Sequence, residues 1–462
     1  MSVVFVVGAG PAGMFAARKI ALAGHEVFVF NRDIKPGGLA EYGIYPVKHK
    51  MKFGLRKQFA QVLALPNLHY FGHVQVGDGY DLKLSDLAGM HPAAVLFTCG
   101  AQGTRKLGLP GEDAAGVYAA KDFVYHYNQL PPYASHDFST GKNVGIVGMG
   151  NVAIDIARWL LDDGPDRVTE SVVIIARRGP LEIKFDDKEI AFVERHIPRA
   201  DLIAEIGRVS KRCAAAGQEV VPEKVIEQHF KHLKDADAAF VPPRLSFRFL
   251  SSPAAILPDS KGRIAKLEVA ENDLVARPDG STKAVQTSTR ATLNLDTLIF
   301  AIGDEHDACI GLPMGPSGYA TMPATGETDE PQYQVWNPAT QAILPGWFVA
   351  GWARRASTGL VGIARHDGEL GADRVIEFLK SEGRADTLGK DEIISSLCGK
   401  GLRPVTKSDL DLLGAVEQRE AGERGVPAFK FSDNQSMYEA IRKEREAASA
   451  VEDERCQSVT AD

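Results

Sequence analysis

Two short glycine-rich runs carry the most legible chemistry in this chain. Gly8-Ala9-Gly10-Pro11-Ala12-Gly13 and Gly148-Met149-Gly150-Asn151-Val152-Ala153 each follow an apolar stretch and precede helix-forming residues. In such a run the first glycine permits a tight turn and the second lets the backbone approach a pyrophosphate. The third position, Gly13 or Ala153, keeps helix and strand close, and the helix N-terminus receives the phosphate charge. The residues that end the next strand differ between the two units. After the first, Val27–Phe30 runs into Asn31-Arg32-Asp33, so Asn31 stands where an acid would hold ribose hydroxyls. An amide can bond a hydroxyl, but without the charge assistance of a carboxylate. After the second, Ser171–Ile175 runs into Ala176-Arg177-Arg178-Gly179. Two guanidiniums there can grip a 2′-phosphate that an acid would repel. The second unit therefore points to NADP(H), and the pairing points to FAD in the first unit and NADPH in the second.

The elements that must position these turns are visible as apolar runs. Val3–Val7 and Asn143–Val147 read as strands buried on both faces of a parallel sheet, with helices over Met14–Ala23 and Ile154–Leu161. Ala94–Thr98, Thr297–Ile302 and Trp347–Ala350 are further strands, each ending close to a glycine. Leu107–Glu112 reads as a crossover linker and Gly311–Gly326 as the return crossover. The expected class is α/β, with two interleaved Rossmann-like domains and the NADP domain inserted in the FAD domain. The expected boundaries are 1–106 and 331–395 for the FAD domain, 107–330 for the NADP domain and 396–462 for a C-terminal extension. Within that extension Met437–Ser449 reads as a charged helix, leaving a packed tail, an oligomer contact and a disordered end all open.

Composition removes other classes. The 462 residues suit two or three domains. Hydrophobic residues at 44% and charged residues at 24% are globular values. With 53 basic against 60 acidic residues there is no general basic excess to suggest nucleic acid as a partner. The five cysteines form no CxxC, so a redox dithiol, a zinc ribbon and a cysteine-ligated cluster lack their usual spacing, and no metal is expected. No apolar run approaches the roughly 18–20 residues of a membrane span, and no leader precedes Val3, so a cytoplasmic protein without membrane insertion is expected. Gly-x-Ser-x-Gly, His-Glu-x-x-His and Walker signatures are absent.

On Gly8–Gly13, Pro36-Gly37-Gly38-Leu39, Tyr42-Gly43-Ile44, Gly148–Asp155, Arg177-Arg178-Gly179-Pro180 and Gly351-Trp352 through Thr358-Gly359, the chain resembles the adrenodoxin-reductase-like ferredoxin–NADP reductases. It is more distantly similar to the glutamate synthase small subunit. The likeness spans residues 1 to about 380 and fades from Ser396. It implies that Gly8, Ala12, Asn31 and Leu39 line FAD, and that Gly351, Trp352, Gly359, Leu360 and Val361 close over its isoalloxazine. It implies that Asn151, Val152, Arg177, Arg178 and Glu189 hold NADPH, with Trp352 and Gly359 beside the nicotinamide. Asp155 matches one member of the family's proton relay. At the partner position stands Lys48 with His49 beside it, so either His49 substitutes or the relay is missing.

Hydride transfer between two bound cofactors needs positioning rather than a side-chain acid or base. Without an internal dithiol the onward acceptor is a separate molecule, which the resemblance implies to be a ferredoxin-type iron–sulfur protein. An acidic partner needs a basic face. Lys48, Lys50, Lys52, Arg56 and Lys57 form one candidate, and Arg208, Lys211 and Arg212 another; both also suit solvated helix faces. Two other readings stand beside the reductase. One is a glutamate-synthase-type flavoprotein that feeds another subunit or an organic acceptor; the other is a regulator that binds both cofactors without turnover.

Overall fold

The computed structural model describes residues 2–165, 167–233, 242–316, 318–323, 332–356, 360–381 and 388–459. The chain divides into two units. The first comprises 1–103, 125–135 and 303–462, and the second 104–124 and 136–302.

The first unit is built on a six-stranded sheet in the order Gln334–Asn337, Ala342–Val349, Ala94–Phe97, Val3–Val7, Glu26–Asn31, Leu68–Gly72. All neighbours are parallel except the first pair. The apolar run Val3–Val7 lies at its centre because both of its faces are covered. Val4 and Val6 pack with Ala16, Ile20 and Val375 on one face, while Phe5 and Val7 meet Phe28, Phe30, Phe71 and Phe97 on the other. The helix Pro11–Leu22 follows the first strand, with proline preset for its first turn. It packs against the long helix Val361–Ser381, where Gly368 admits the approach: a Cβ there would lie 2.3 Å from the Ala12 carbonyl oxygen.

The second unit repeats the scheme with five parallel strands, Val117–Ala119, Thr297–Phe300, Asn143–Val147, Ser171–Ile175 and Arg244–Arg248. An antiparallel sheet of Ser251–Pro258, Ile264–Ala276 and Thr282–Asn294 is added to it. The α/β class, the twin parallel sheets and the insertion of the second unit within the first agree with the sequence reading.

The second unit ends at Ile302, earlier than residue 330, because the returning chain finds its core elsewhere. Ile310, Leu312 and Tyr319 pack with Val76, Leu82 and Phe97 of the first unit. Residues 317 and 324–326 of the expected crossover lie outside the described residues. The C-terminal extension is helical at Lys390–Gly399, Lys407–Glu423 and Asn434–Val459. Val405, Leu413, Val416, Met437 and Ile441 form a small core around Ile34. No described helix is long and apolar enough to cross a membrane.

Candidate active site

Each glycine turn has the same anatomy. Gly8 sits at φ +105, and a Cβ on it would meet the Cys99 Cα at 2.7 Å. At Gly13 a Cβ would lie 1.9 Å from the Gly8 carbonyl oxygen, so side chains are excluded there by the protein itself. Gly10 is different: nothing lies within 4 Å of where its Cβ would be. The helix that begins beside it has no side-chain cap, which leaves its first N–H groups for a ligand. In the second unit Gly148 (φ +128) would place a Cβ 2.2 Å from the Ala301 carbonyl oxygen, while the space around Gly150 is again empty. The helix Asn151–Arg158 also lacks a side-chain cap. Two closed turns, each with one open glycine before an uncapped helix, fit the diphosphates of two dinucleotides.

Around the first turn the structure gathers most of the residues named from sequence. Gly37 N–H donates to the Ala9 carbonyl (2.8 Å), which brings the Gly38-Leu39 segment alongside. A Cβ on Gly351 (φ +66) would lie 2.5 Å from the Ala12 Cβ, so the Gly351–Ala353 turn closes on the same place. Leu360 is exposed and Val361 half-buried at the start of the long helix; Gly359 lies outside the described residues. Asn31 is committed elsewhere than expected. Its Oδ1 accepts from the Ala9 N–H (3.0 Å), and its amide hydrogens are directed at the Asp33 and Lys35 carbonyls and the Tyr70 hydroxyl. It staples the turn, leaving only its remaining oxygen lone pair for a ribose.

Sequence reasoning missed what holds the Gly351–Ala353 turn. Asp367 accepts from the Gly351 N–H at 2.6 Å, pairs with Arg354 and takes the Tyr333 hydroxyl at 3.1 Å. Arg354 in turn lies over the Tyr333 ring, 4.5 Å from its centroid. His306 is buried beside this turn; burial lowers its pKa, and hydrogen bonds with the backbone of Ala353 and Trp352 work the other way.

In the second unit Arg177 is exposed, while the buried Nε of Arg178 lies 3.8 Å from a Glu182 carboxylate oxygen and makes no hydrogen bond. A guanidinium group held in this way is suited to an anion. The added sheet supports the pair, since the Asn272 amide donates to the Arg177 carbonyl at 2.8 Å. Asn151 exchanges two 2.7 Å hydrogen bonds with Asp186, and Val152 is exposed at the helix start. Glu189 is half-buried on the short helix Asp187–Ile190, and Asp155 is half-buried on the helix that follows the turn.

The two basic candidates need correction. Lys52 is buried, with its Nζ 2.6 Å from Asn128 Oδ1, and Arg56 forms a two-pronged ion pair with Glu41 at 2.5 and 2.7 Å. Neither offers a free charge to a partner. In the second unit Arg208 is paired with Glu205 and Glu271, and Arg212 is paired with Glu271. The exposed charges that remain are Lys50, Lys57 and Lys211.

Buried Lys52 makes a pH prediction. Burial, and then the charge of Lys430, lower its pKa to about 7 against an opposing pull from Glu41, while Arg56 adds to the lowering. Between that value and the ordinary 10.5, the unfolded chain binds a proton that the fold has released. Stability therefore rises with pH through this window, by at most about 1.4 kcal/mol per pH unit from this group. In urea unfolding between about pH 7 and 9.5, Lys52→Met is expected to remove part of the rise seen in the unsubstituted protein. Parallel curves for the two would contradict the burial argument.

The pyridine nucleotide-disulphide oxidoreductase family matches residues 2–304. The chain belongs to this family. Among relatives, NADPH-ferredoxin reductase FprA of Mycobacterium leprae (strain TN) is 30% identical, over 92% of this chain and 95% of the relative. The mitochondrial NADPH:adrenodoxin oxidoreductase of Salvelinus fontinalis is 29% identical, over 95% and 91%. The solved structure of Mycobacterium tuberculosis FprA in complex with NADPH superimposes with a TM-score of 0.78 at 28% identity, covering 96% of this chain and 99% of that one. The likeness thus continues past residue 380, through much of the extension. Although the family takes its name from disulphide chemistry, this member has no CxxC, and its four described cysteines, Cys99, Cys213, Cys309 and Cys398, are free.

Proposed function

We propose that this protein is an FAD-dependent oxidoreductase that takes a hydride from NADPH and passes the electrons singly to a ferredoxin-type iron–sulfur protein. The observation that carries the reading is the pair of open-glycine turns, of which only the second leads into two arginines. Bound FAD supplies the conversion of a two-electron donor into single-electron steps. The protein's own part is positional. Gly10 and Gly150 leave room for the diphosphates, Arg177 and Arg178 select the 2′-phosphate, and Asp367 fixes the turn that carries Trp352. Asn31, Leu39, Leu360 and Val361 line the flavin in this reading, and Asn151, Val152 and Glu189 the nicotinamide cofactor. Asp155, at a carboxylate oxygen, and His49, at a ring nitrogen, are assigned the proton-holding roles.

A ferredoxin-reductase activity draws support from full-length relatives whose names carry it. The lack of a CxxC agrees with an external acceptor. For docking, Lys50 and Lys57 are the favoured charges because exposed Met51 and Phe53 lie among them on the helix His49–Leu63. The free cysteines agree with a cytoplasmic setting.

A steady-state assay with NADPH, ferredoxin and cytochrome c as terminal acceptor tests the assignment. Ferredoxin-dependent turnover on the order of 1–100 per second, with NADH a far poorer donor, is expected. Flavin reduction without ferredoxin dependence would point to the glutamate-synthase-type reading, and absence of flavin reduction to the non-catalytic one.

A further inference from the structure

The segment that leads into the first cofactor turn is gripped by residues from the far end of the chain. Lys430 places its Nζ 2.6 Å from Glu41 Oε1, donates to the carbonyls of Glu41 (3.2 Å) and Asn128 (3.3 Å), and lies 4.7 Å over the Tyr42 ring. Its side chain is only 12% exposed. Lys35 is paired with Glu417 at 2.5 Å, and Ile34 is enclosed by Val405, Leu413 and Met437. These contacts bracket Pro36-Gly37-Gly38-Leu39, the stretch that meets the glycine turn: Gly37 bonds to Ala9, and a Cβ on Gly38 would lie 3.3 Å from the Gly10 Cα.

The charge balance calls for an explanation beyond packing. Arg56 already neutralises Glu41 with two hydrogen bonds, so a second buried cation is not needed for that carboxylate. A buried, paired lysine carries a desolvation cost and is weak evidence for stability alone. Arg56 and Lys430 share Glu41, and Lys35 pairs with Glu417.

We propose that Lys430 is a positioning residue for the flavin: by drawing Glu41 and Tyr42 inward, the C-terminal segment holds the Gly37-Gly38-Leu39 loop closed on the first glycine turn and sets how tightly FAD is retained. Resting on the FAD reading, this gives residues 400–441 a part in cofactor retention. A loop already ordered before binding saves the entropy that ligand binding would otherwise spend to order it.

The test compares the full-length holoprotein with its Lys430→Met and Lys430→Arg variants. FAD release is followed by the rise in flavin fluorescence on dilution, and FAD-induced thermal stabilisation is measured from apo and holo melting curves. Lys430→Met is expected to release FAD about 10-fold or more faster and to narrow the apo-to-holo shift, with Lys430→Arg lying nearer the original. Binding of 2′,5′-ADP should be unchanged. A merely structural role would lower apo and holo melting alike and leave release unaltered, and that result would overturn the proposal. If Lys430→Met does not fold, Glu417→Gln loosens the same loop from its other end, and an unaltered release rate there would be equally contrary. An original protein that neither carries nor takes up FAD would instead overturn the flavin reading itself.

Discussion

Gly10→Ala is expected to leave the protein folded with flavin binding weakened by ~30-fold or more, while Gly150→Ala leaves it folded, yellow and weakened to a similar degree toward NADPH. The reason is the contrast within each turn. At Gly8, Gly13 and Gly148 a Cβ collides with backbone at 2.7 Å or less, so substitution there disturbs the protein before any ligand is considered. At Gly10 and Gly150 no protein atom lies within 4 Å of the added carbon. Both also have extended backbones that any residue adopts, with φ −72 and ψ −177 at Gly10 and φ −112 and ψ 178 at Gly150. The new methyl group can clash only with a ligand. Crowding of that kind costs about 2–3 kcal/mol, ~30- to 150-fold in affinity. Titration of each apo-variant with FAD and with 2′,5′-ADP, together with melting curves, separates the outcomes. Retention of both ligands at the original affinity would refute the assignment of these turns.

The second large effect concerns the choice of nicotinamide cofactor. Replacing Arg177 and Arg178 together by Gln removes two charge-assisted contacts to a 2′-phosphate, each worth about 1.5–3 kcal/mol. Loss of ~10²- to 10⁴-fold in kcat/KM for NADPH is expected, with NADH changed by no more than a few-fold. Equal losses for the two cofactors would mean that the pair supports the loop rather than reading the phosphate. The nearby antiparallel sheet offers a check, since Asn272→Ala removes the hydrogen bond to the Arg177 carbonyl and should weaken NADPH binding more mildly.

What could be read from sequence was set by local physics. Val3–Val7, Asn143–Val147 and Ser171–Ile175 appear at the positions expected, because strands buried on both faces are continuous apolar runs. The glycine turns were legible for the same reason, each following such a strand. The sheet that includes Thr282–Asn294 was not, since Lys283, Gln286, Thr287, Ser288, Thr289 and Arg290 leave that strand with little apolar alternation. Basic side chains were read as free because their partners are remote in sequence. Lys52 meets Asn128 and Arg212 meets Glu271, and only the fold brings those pairs together. The anchoring of Gly351 by Asp367 was hidden likewise, since one carboxylate on a long helix carries no sequence signal.

The central claim, that NADPH reduces a flavin in this chain and the electrons then leave for an iron–sulfur protein, is tested most directly by anaerobic stopped-flow absorbance. The purified holoprotein is mixed first with NADPH and then with an oxidised ferredoxin carrying a two-iron cluster. Rapid bleaching of the flavin bands followed by rapid ferredoxin reduction, the second phase slowing as salt is raised, is the predicted record. A flavin that stays oxidised in the presence of NADPH would contradict it.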